Sequence, residues 1–217
     1  MLREIKGVIF DLDGTLVDSM WIWEKIDIDY LKAHNKPLPK DLRCHIEHLS
    51  FEETSSYFKQ RFNLPYTEEE IQNQWFEMAI KEYSTNVPLK AGVKNFLKIL
   101  KAANIKIALA TSNCKPLINA CLKAHGIEEY FHSITTTSEV TRGKNFPDVY
   151  LLAAERLDVA PKNCVVFEDI LPAIKGAKSA GMRVVGVYDD FSKLQEEEIK
   201  SIAHKYIYNY EELINII

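Results

Sequence analysis

The chain has 217 residues, 47% of them hydrophobic and 27% charged, and its formal net charge is −4 at pH 7. This length and composition predict a globular protein with a substantial buried core, and an acidic chain without a basic stripe is not typical of nucleic-acid-binding proteins. No stretch is long and apolar enough to predict a membrane-spanning helix, and the first residues lack the apolar core of a signal peptide, so we expect no membrane partner and a cytoplasmic location.

The first predicted element is a short buried strand, Val8 to Phe10, that ends at Asp11. One leucine separates Asp11 from Asp13, and Gly14 allows the chain to coil so that both carboxylates face the same way. Open α/β sheets bind ligands at this end of their strands. Two close carboxylates need a cation or a shared proton, and Mg²⁺ meets that need because it prefers carboxylate, carbonyl and phosphate oxygens. Asp-Gly is also ordinary turn chemistry, so the pair alone leaves both interpretations open.

A helical block is predicted after this strand. Residues 20–34 and 51–83 place apolar side chains at helical intervals, and no strand pattern appears among them. We therefore predict an all-helical cap domain over 18–89, inserted into an α/β core domain that is formed by 1–17 and 90–217.

Strand and helix patterns alternate in the rest of the chain. Strands are predicted near 105–110, 131–135, 164–168 and 183–187, and a final strand with its turn over 206–210. Alternation of this kind implies right-handed crossovers and a parallel sheet. The predicted fold class is α/β, with a Rossmann-like parallel sheet covered by helices on both faces and an inserted helical cap.

Polar residues follow two of these strands. Thr111, Ser112 and Asn113 come after the strand near 105–110, where they could cap the next helix, and helix N-termini also favour anions. Glu168 and Asp169 end another apolar run, although acids that open a helix are often only favourable placements in its dipole. Because the carboxyl ends of parallel strands meet at one edge of a sheet, we expect these residues to converge with the first two aspartates.

Taken in order, these motifs resemble the four signatures of the haloacid dehalogenase superfamily, and the resemblance extends over about residues 5–187. The matching segments are Phe10–Leu16, Thr111–Asn113, Lys144 with Pro147-Asp148, and Val165–Asp169. By itself Lys144 would be interpreted as a solvated loop charge, and the Pro-Asp at the family's spacing makes it a site residue.

The sequence departs from the family pattern at three positions. Asn145 stands where a proline is usual, Ile170 where serine is usual and Ala173 where glycine is usual. These changes affect loops near the third and fourth motifs and leave the acids of the fourth motif in place.

The resemblance implies a role for each site residue. Asp11 would be the nucleophile and Asp13 the acid/base, while Thr111 would hydrogen-bond the transferring phosphoryl group and Lys144 would neutralise its charge. The implied phosphate-binding residues are Thr111, Ser112, Asn113 and Lys144. The implied Mg²⁺ ligands are Asp11, the backbone carbonyl of Asp13, Asp169 and, directly or as outer support, Glu168.

The implied function is a Mg²⁺-dependent phosphatase of the β-phosphoglucomutase-like subgroup, acting on a small phosphorylated metabolite such as a sugar phosphate. A mutase is the main alternative. The mutase has a histidine where this chain has Trp23 and a cap arginine near Phe51, and apolar residues at these positions favour the hydrolase. Most of the cap aromatics are expected to form the cap core, with one or two of them lining the substrate opening.

Three weaker alternatives and two further expectations complete the sequence interpretation. Phosphonate hydrolysis needs a cap lysine, and neither Lys25 nor Lys32 lies in a recognisable motif, while a dehalogenase does not use the magnesium pattern around Asp13. A non-catalytic binding protein would usually have lost a motif residue, and none is lost. The four cysteines lack Cys-x-x-Cys spacing and predict neither a zinc site nor a disulfide framework. We expect a monomer or a weak homodimer.

Overall fold

The two compact units of the chain differ in secondary structure. The computed structural model describes residues 5–46, 49 and 51–214. One unit is formed by the residues up to Met20 with those from Val87 onward, and the other is Trp21–Asn86. The first unit contains the sheet, and the second is helical over its described residues.

The described residues contain one six-stranded sheet. Its strands are β1 (Gly7–Phe10), β2 (Lys106–Thr111), β3 (Ser133–Thr136), β4 (Cys164–Glu168), β5 (Arg183–Val187) and β6 (Lys205–Ile207). The strand order is β3-β2-β1-β4-β5-β6, and every neighbouring pair is parallel. Strands buried on both faces carry near-continuous apolar runs, and the buried β1 and β4 show this pattern. The predicted α/β fold with a parallel sheet is confirmed.

This strand order positions the site. The chain proceeds from β1 to β2 and β3 on one side and then returns to place β4 on the other side of β1. The carboxyl ends of β1, β2 and β4 are therefore neighbours, and a crevice forms in such sheets where the strand order reverses.

Five described helices belong to the same unit as the sheet. The first four described helices of the chain belong to the other unit and are given below. Numbered in chain order, the helices beside the sheet are α5 (Val93–Ala102), α6 (Lys115–His125), α7 (Asp148–Leu157), α8 (Leu171–Ser179) and α9 (Glu196–Ile202). An aromatic cluster lies beneath the ends of β1 and β4, where the rings of Phe10 and Phe167 stack with centroids 4.9 Å apart. Tyr210, near the end of the described chain, stacks on Phe167 at 5.6 Å.

The cap unit is built around aromatic side chains. Its helices are α1 (Ile22–Ala33), α2 (Leu42–Ile46), α3 (Phe51–Phe62) and α4 (Glu68–Thr85). Thr67 and Glu70 form a reciprocal capping box that begins α4. The buried Trp75 packs edge-on against Phe58 with centroids 4.9 Å apart. The short helix α2 has no counterpart in the sequence prediction because its five residues are too few to show a helical period.

Two cap aromatics lie at the edge of this core, where Phe51 packs edge-on against Trp75 with ring centroids 5.6 Å apart. Trp23 is 42% exposed and Phe51 is 37% exposed, and their ring centroids are 5.7 Å apart.

Within the described ranges, no helix combines the length and apolar character that a membrane crossing requires.

Candidate active site

The backbone around Asp11 is fixed by its neighbours on both sides. Asp11 follows β1, and its N–H donates to the carbonyl of Phe167 on β4 over 3.0 Å. Beyond it the chain coils tightly, because the N–H groups of Leu16 and Val17 both donate to the Leu12 carbonyl. Gly14 lies within this coil at φ +76°, a conformation that glycine adopts without strain. The coil holds the two acids of the first motif at the sheet edge.

Lys144 joins Asp11 to Glu168 within a buried cluster. Its Nζ lies 2.5 Å from Oδ1 of Asp11 and 2.6 Å from Oε1 of Glu168. All three side chains are buried, so water screens these charges poorly. Burial alone would lower the pKa of Lys144, but the charges of Asp11 and Glu168 outweigh this effect and raise it. The lysine is therefore a permanent cation between two carboxylates.

Asp169 is the third acid at this edge. The Thr15 hydroxyl donates to its Oδ1 over 3.1 Å, and the α-carbon of Gly14 lies so close that a Cβ there would stand 2.3 Å from Oδ2. The Tyr210 hydroxyl donates in turn to the Thr15 carbonyl over 3.2 Å. The first motif, the fourth motif and the C-terminal part of the described chain are thus packed against one another.

The three acids form a group that fits a divalent cation. One carboxylate oxygen from each of Asp11, Glu168 and Asp169 lies within 4.8 Å of the others. When all three are ionised, the single charge of Lys144 leaves two negative charges uncompensated. The buried Oε2 of Glu168 also lacks a hydrogen-bond partner in the described part of the chain. A dication would supply both the missing charge and the missing partner, and Mg²⁺ prefers oxygen ligands of this kind.

The electrostatics of the cluster point the same way. Burial raises the pKa of Asp11 although Lys144 opposes the rise, and burial raises the pKa of Glu168 to about 7 against the same opposing charge. Burial, with the charges of Asp11 and Glu168, raises the pKa of Asp169 well above its ordinary value. Such shifts mark carboxylates that cannot all be ionised together without a further cation.

Asp13 is held by two hydrogen-bond donors outside this cluster. Ser19 Oγ donates to Oδ1 over 2.6 Å, and Asn113 Nδ2 donates to Oδ2 over 2.8 Å. A serine hydroxyl can donate or accept, so it can accompany either protonation state of the carboxyl group. This arrangement suits a residue that gives and takes a proton.

The residues of the second motif, Thr111 to Asn113, do not cap the helix that follows them. Thr111 ends β2 and is buried, and its Oγ1 accepts the backbone N–H of Asn113 over 3.0 Å, while Ser112 is exposed. Of the two interpretations that the sequence left open for these residues, the helix cap does not hold, because Cys114 is the N-cap of α6 and makes no side-chain cap bond. The side-chain oxygen Oδ1 of Asn113 instead accepts the Cys114 N–H over 2.7 Å, and Nδ2 of the same amide group points toward Asp13.

The loop that carries Lys144 is fixed without the usual proline. The N–H of Phe146 donates to the Gly143 carbonyl over 3.0 Å, closing a turn around Asn145. Gly176 on α8 lies directly against this turn, since a Cβ there would stand 2.0 Å from the Lys144 carbonyl oxygen. Close backbone packing thus holds the lysine at a position where the sequence departs from the family pattern.

The structure brings most of the sequence-predicted site residues to one sheet edge and adds others. The buried group contains Asp11, Thr111, Lys144, Glu168 and Asp169, with the partly buried Asp13 and Asn113 beside it. Sequence reasoning missed Thr15, Ser19 and Tyr150, which bond the acids directly. Thr15 lies inside the first motif and could have been found there, whereas Ser19 and Tyr150 carry no motif signal.

Known proteins are similar to most of this chain. The family model described as haloacid dehalogenase-like hydrolase matches residues 5–181. The chain is 31% identical over 184 residues to the phosphorylated carbohydrates phosphatase of Thermotoga maritima, covering 84% of this chain and 85% of that protein. It is 36% identical over 200 residues to the β-phosphoglucomutase of Bacillus subtilis, covering 84% and 83%. A Thermotoga maritima crystal structure provisionally named β-phosphoglucomutase has a TM-score of 0.83 and 29% identity, covering 98% of both chains.

Proposed function

Because this chain belongs to the haloacid dehalogenase-like hydrolases, we propose that it is a Mg²⁺-dependent phosphatase of small phosphomonoesters such as sugar phosphates. The predicted family and the predicted hydrolase class are confirmed by this membership. The observation that carries the proposal is the buried contact of 2.5 Å between Lys144 and Asp11, beside two further acids. In this contact the positive charge of Lys144 balances the negative charge of the nucleophile Asp11, so that a phosphate dianion can approach the carboxylate.

Asp11, Glu168 and Asp169 are the side chains that would hold Mg²⁺, with the predicted carbonyl ligand of Asp13. The ion would supply positive charge that screens the attacking carboxylate from the phosphate. The unpartnered Oε2 of Glu168 and the two uncompensated charges of the cluster support this assignment. Lys144 and the Thr111 hydroxyl would bind the phosphoryl oxygens, together with Ser112.

In the first step, an Asp11 carboxylate oxygen attacks phosphorus in line, and the bond from phosphorus to the leaving alcohol oxygen breaks. Asp13 gives its proton to that oxygen, so the products are an alcohol and an aspartyl phosphate. The hydrogen bonds from Ser19 and Asn113 keep the Asp13 carboxyl group in place for this transfer.

In the second step, Asp13, now ionised, takes a proton from water as the water oxygen attacks phosphorus. The bond between phosphorus and Asp11 breaks, which releases inorganic phosphate and restores both carboxyl groups to their starting states. A carboxylate suits this role because its acyl phosphate hydrolyses readily.

A phosphosugar mutase is the second candidate, and the 36% identity to the Bacillus subtilis β-phosphoglucomutase favours it. A mutase must bind a second phosphate group, which requires cationic side chains. The exposed rings of Trp23 and Phe51 offer an apolar surface in the cap, and such a surface supports the hydrolase instead. The similarity to the phosphorylated carbohydrates phosphatase of Thermotoga maritima also favours the hydrolase.

The test is Mg²⁺-dependent phosphate release from a panel of phosphomonoesters that includes both anomers of glucose 1-phosphate, hexose 6-phosphates, polyol phosphates and nucleotides. The blank is Asp11→Asn, and the surface variant Asp158→Asn is the matched control. Release by the wild type and by Asp158→Asn, absent from Asp11→Asn, would support the phosphatase. Conversion of β-glucose 1-phosphate to glucose 6-phosphate with a bisphosphate primer, and no phosphate release, would establish the mutase.

Three further sequence expectations stay predictions. They are the cap domain boundaries at 18 and 89, the monomeric or weakly dimeric state, and cytoplasmic residence.

A further inference from the structure

Tyr150 has a buried hydroxyl group that the proposed reaction does not use. It lies in the first turn of α7, and its side chain is 0% exposed. Its neighbours on the helix pack into the apolar core with Ile9 and Val166. A phenylalanine would fill the same apolar space, so packing alone does not explain the hydroxyl. Burying a hydroxyl costs free energy unless it finds a hydrogen-bond partner.

The partner of this hydroxyl is a single oxygen of Glu168. Tyr150 donates to Oε1 over 2.8 Å, and Lys144 Nζ lies 2.6 Å from the same atom. Burial, together with the Glu168 charge, raises the pKa of Tyr150 well above its ordinary value, so the phenol stays a donor. Two donors therefore act on one carboxylate oxygen.

The other oxygen of Glu168, Oε2, differs from Oε1 in its hydrogen bonding. Oε2 is buried and has no hydrogen-bond partner within the described ranges. A carboxylate held by one donor can rotate and offer either oxygen, whereas two donors that converge on Oε1 from different elements fix the plane of the group. Lys144 comes from the loop before α7 and Tyr150 from α7 itself, so the two donors approach from separate positions.

We propose that Tyr150 is a positioning residue for the metal site: together with Lys144 it engages Oε1 of Glu168 and thereby leaves Oε2 free for the cation. Tyr150 acts through Glu168 and does not contact the substrate. The inference rests on the proposed Mg²⁺ site and adds detail to it. It assigns Oε1 of Glu168 to the two hydrogen-bond donors and Oε2 to the cation.

The test is calorimetric titration of the full-length protein with Mg²⁺, without substrate. Removing an outer-shell partner of a metal ligand weakens metal binding by about 10- to 100-fold, and we expect this increase in Kd for Tyr150→Phe. Turnover of the variant should recover as Mg²⁺ is raised to saturation, since the catalytic groups are untouched. A purely structural role would lower the melting temperature and leave both readouts unchanged.

The matched control is Tyr30→Phe. Tyr30 is also a buried tyrosine, but its hydroxyl has no hydrogen-bond partner in the described chain, so its removal should leave the Mg²⁺ affinity as it is. In a Glu168→Gln background, Tyr150→Phe should add little further loss, because the carboxylate on which it acts is gone.

Two outcomes separate this inference from the proposed function. If the wild type binds Mg²⁺ and Tyr150→Phe binds it with the same Kd, the role of Tyr150 is overturned and the metal site stands. If the wild type binds no Mg²⁺, the metal site fails and this inference fails with it, whatever the phosphate-release assay gives. An equal loss of affinity in Tyr30→Phe would also overturn the role, since the effect would then be general to buried tyrosines.

Discussion

Gly14 lies against the carboxylate of Asp169 so closely that any side chain at position 14 would collide with it. A Cβ on Gly14 would stand 2.3 Å from Oδ2 of Asp169, well inside van der Waals contact. Gly14 also has φ +76°, so its backbone would be strained with a larger residue even in open space. The first motif thus requires glycine on two independent grounds, and one of them is a contact with an acid 155 positions later in the chain.

These two grounds can be separated experimentally. Gly181 has φ +75°, and a Cβ on this residue would have no other atom within 4 Å, so Gly181→Ala tests the backbone strain alone. We expect Gly14→Ala and Gly181→Ala each to lose about 1–2 kcal/mol of unfolding free energy from strain. Only Gly14→Ala should also lose Mg²⁺ binding and turnover, because it displaces Asp169. Urea unfolding and phosphate release measure the two effects, and equal activities of the two variants would contradict the prediction.

The Asp13 carboxyl group should depend on the hydrogen bonds that Ser19 and Asn113 donate to it. General acid–base catalysis contributes roughly 10²- to 10⁴-fold, and losing the orientation of the group should forfeit part of this. We expect Ser19→Ala and Asn113→Ala to lower kcat at least about tenfold while the Kd for Mg²⁺ is unchanged. The exposed Asn119→Ala on α6 is the control. A normal kcat in both variants would show that Asp13 needs neither donor.

A buried ion pair should stabilise the unit that contains the sheet. Lys90 Nζ lies 2.9 Å from Asp189 Oδ2, and the two side chains are only 12% and 5% exposed. Lys90→Met leaves the Asp189 charge buried without its cation, which should cost about 3 kcal/mol of unfolding free energy. The double variant Lys90→Met/Asp189→Asn should recover part of this loss.

The control for this pair lies on the surface. Lys101 and Glu129 form an ion pair of 2.8 Å whose side chains are 52% and 70% exposed. Lys101→Met should change the unfolding free energy much less than Lys90→Met does, because water screens exposed pairs. Equal effects of the two lysine substitutions in urea unfolding would refute the argument from burial.

The stability of the protein should depend on pH through Asp27 in the cap. Burial raises the pKa of this partly buried carboxyl group to about 7, and the charge of Glu24 adds to the rise. Since the folded pKa lies above the ordinary value of 3.8, the stability contribution is fully present below about pH 4 and is lost as the pH rises through about 7. An asparagine at position 27 cannot ionise, so Asp27→Asn does not suffer this loss of stability. The gain in melting temperature of Asp27→Asn over the wild type should therefore grow between those pH values.

The matched control is Asp158→Asn, whose side chain is fully exposed. The difference between its melting temperature and that of the wild type should stay constant over the same pH range. A gain for Asp27→Asn that is equally constant would mean that Asp27 does not titrate near neutral pH in the folded protein.

Local patterns in the sequence were sufficient for the sheet and for the residues at its edge. β1 and β4 are short apolar runs, of which β1 is followed by Asp11 and β4 ends at Glu168, and apolar runs bounded by polar residues predict buried strands wherever they occur. The cap was predicted by helical periodicity, except for α2, which is too short to be periodic. The alternative of a helix cap at Thr111 to Asn113 does not hold, because Cys114 is the N-cap of α6 and the Asn113 amide donates to Asp13, a hundred positions away.

What the sequence alone determined about this protein is the fold class, the family and which acids and lysine belong to its motifs, since each of these depends on residues close together in the chain. Only the tertiary structure decided how those groups are held: Tyr150 on Glu168, Ser19 on Asp13, and Tyr210 on Thr15. Tyr150 and Tyr210 have the pattern of ordinary apolar core positions, and a hydroxyl carries no periodic signal. Its partner is determined by which strands become neighbours in the folded sheet, and that is a property of the whole chain.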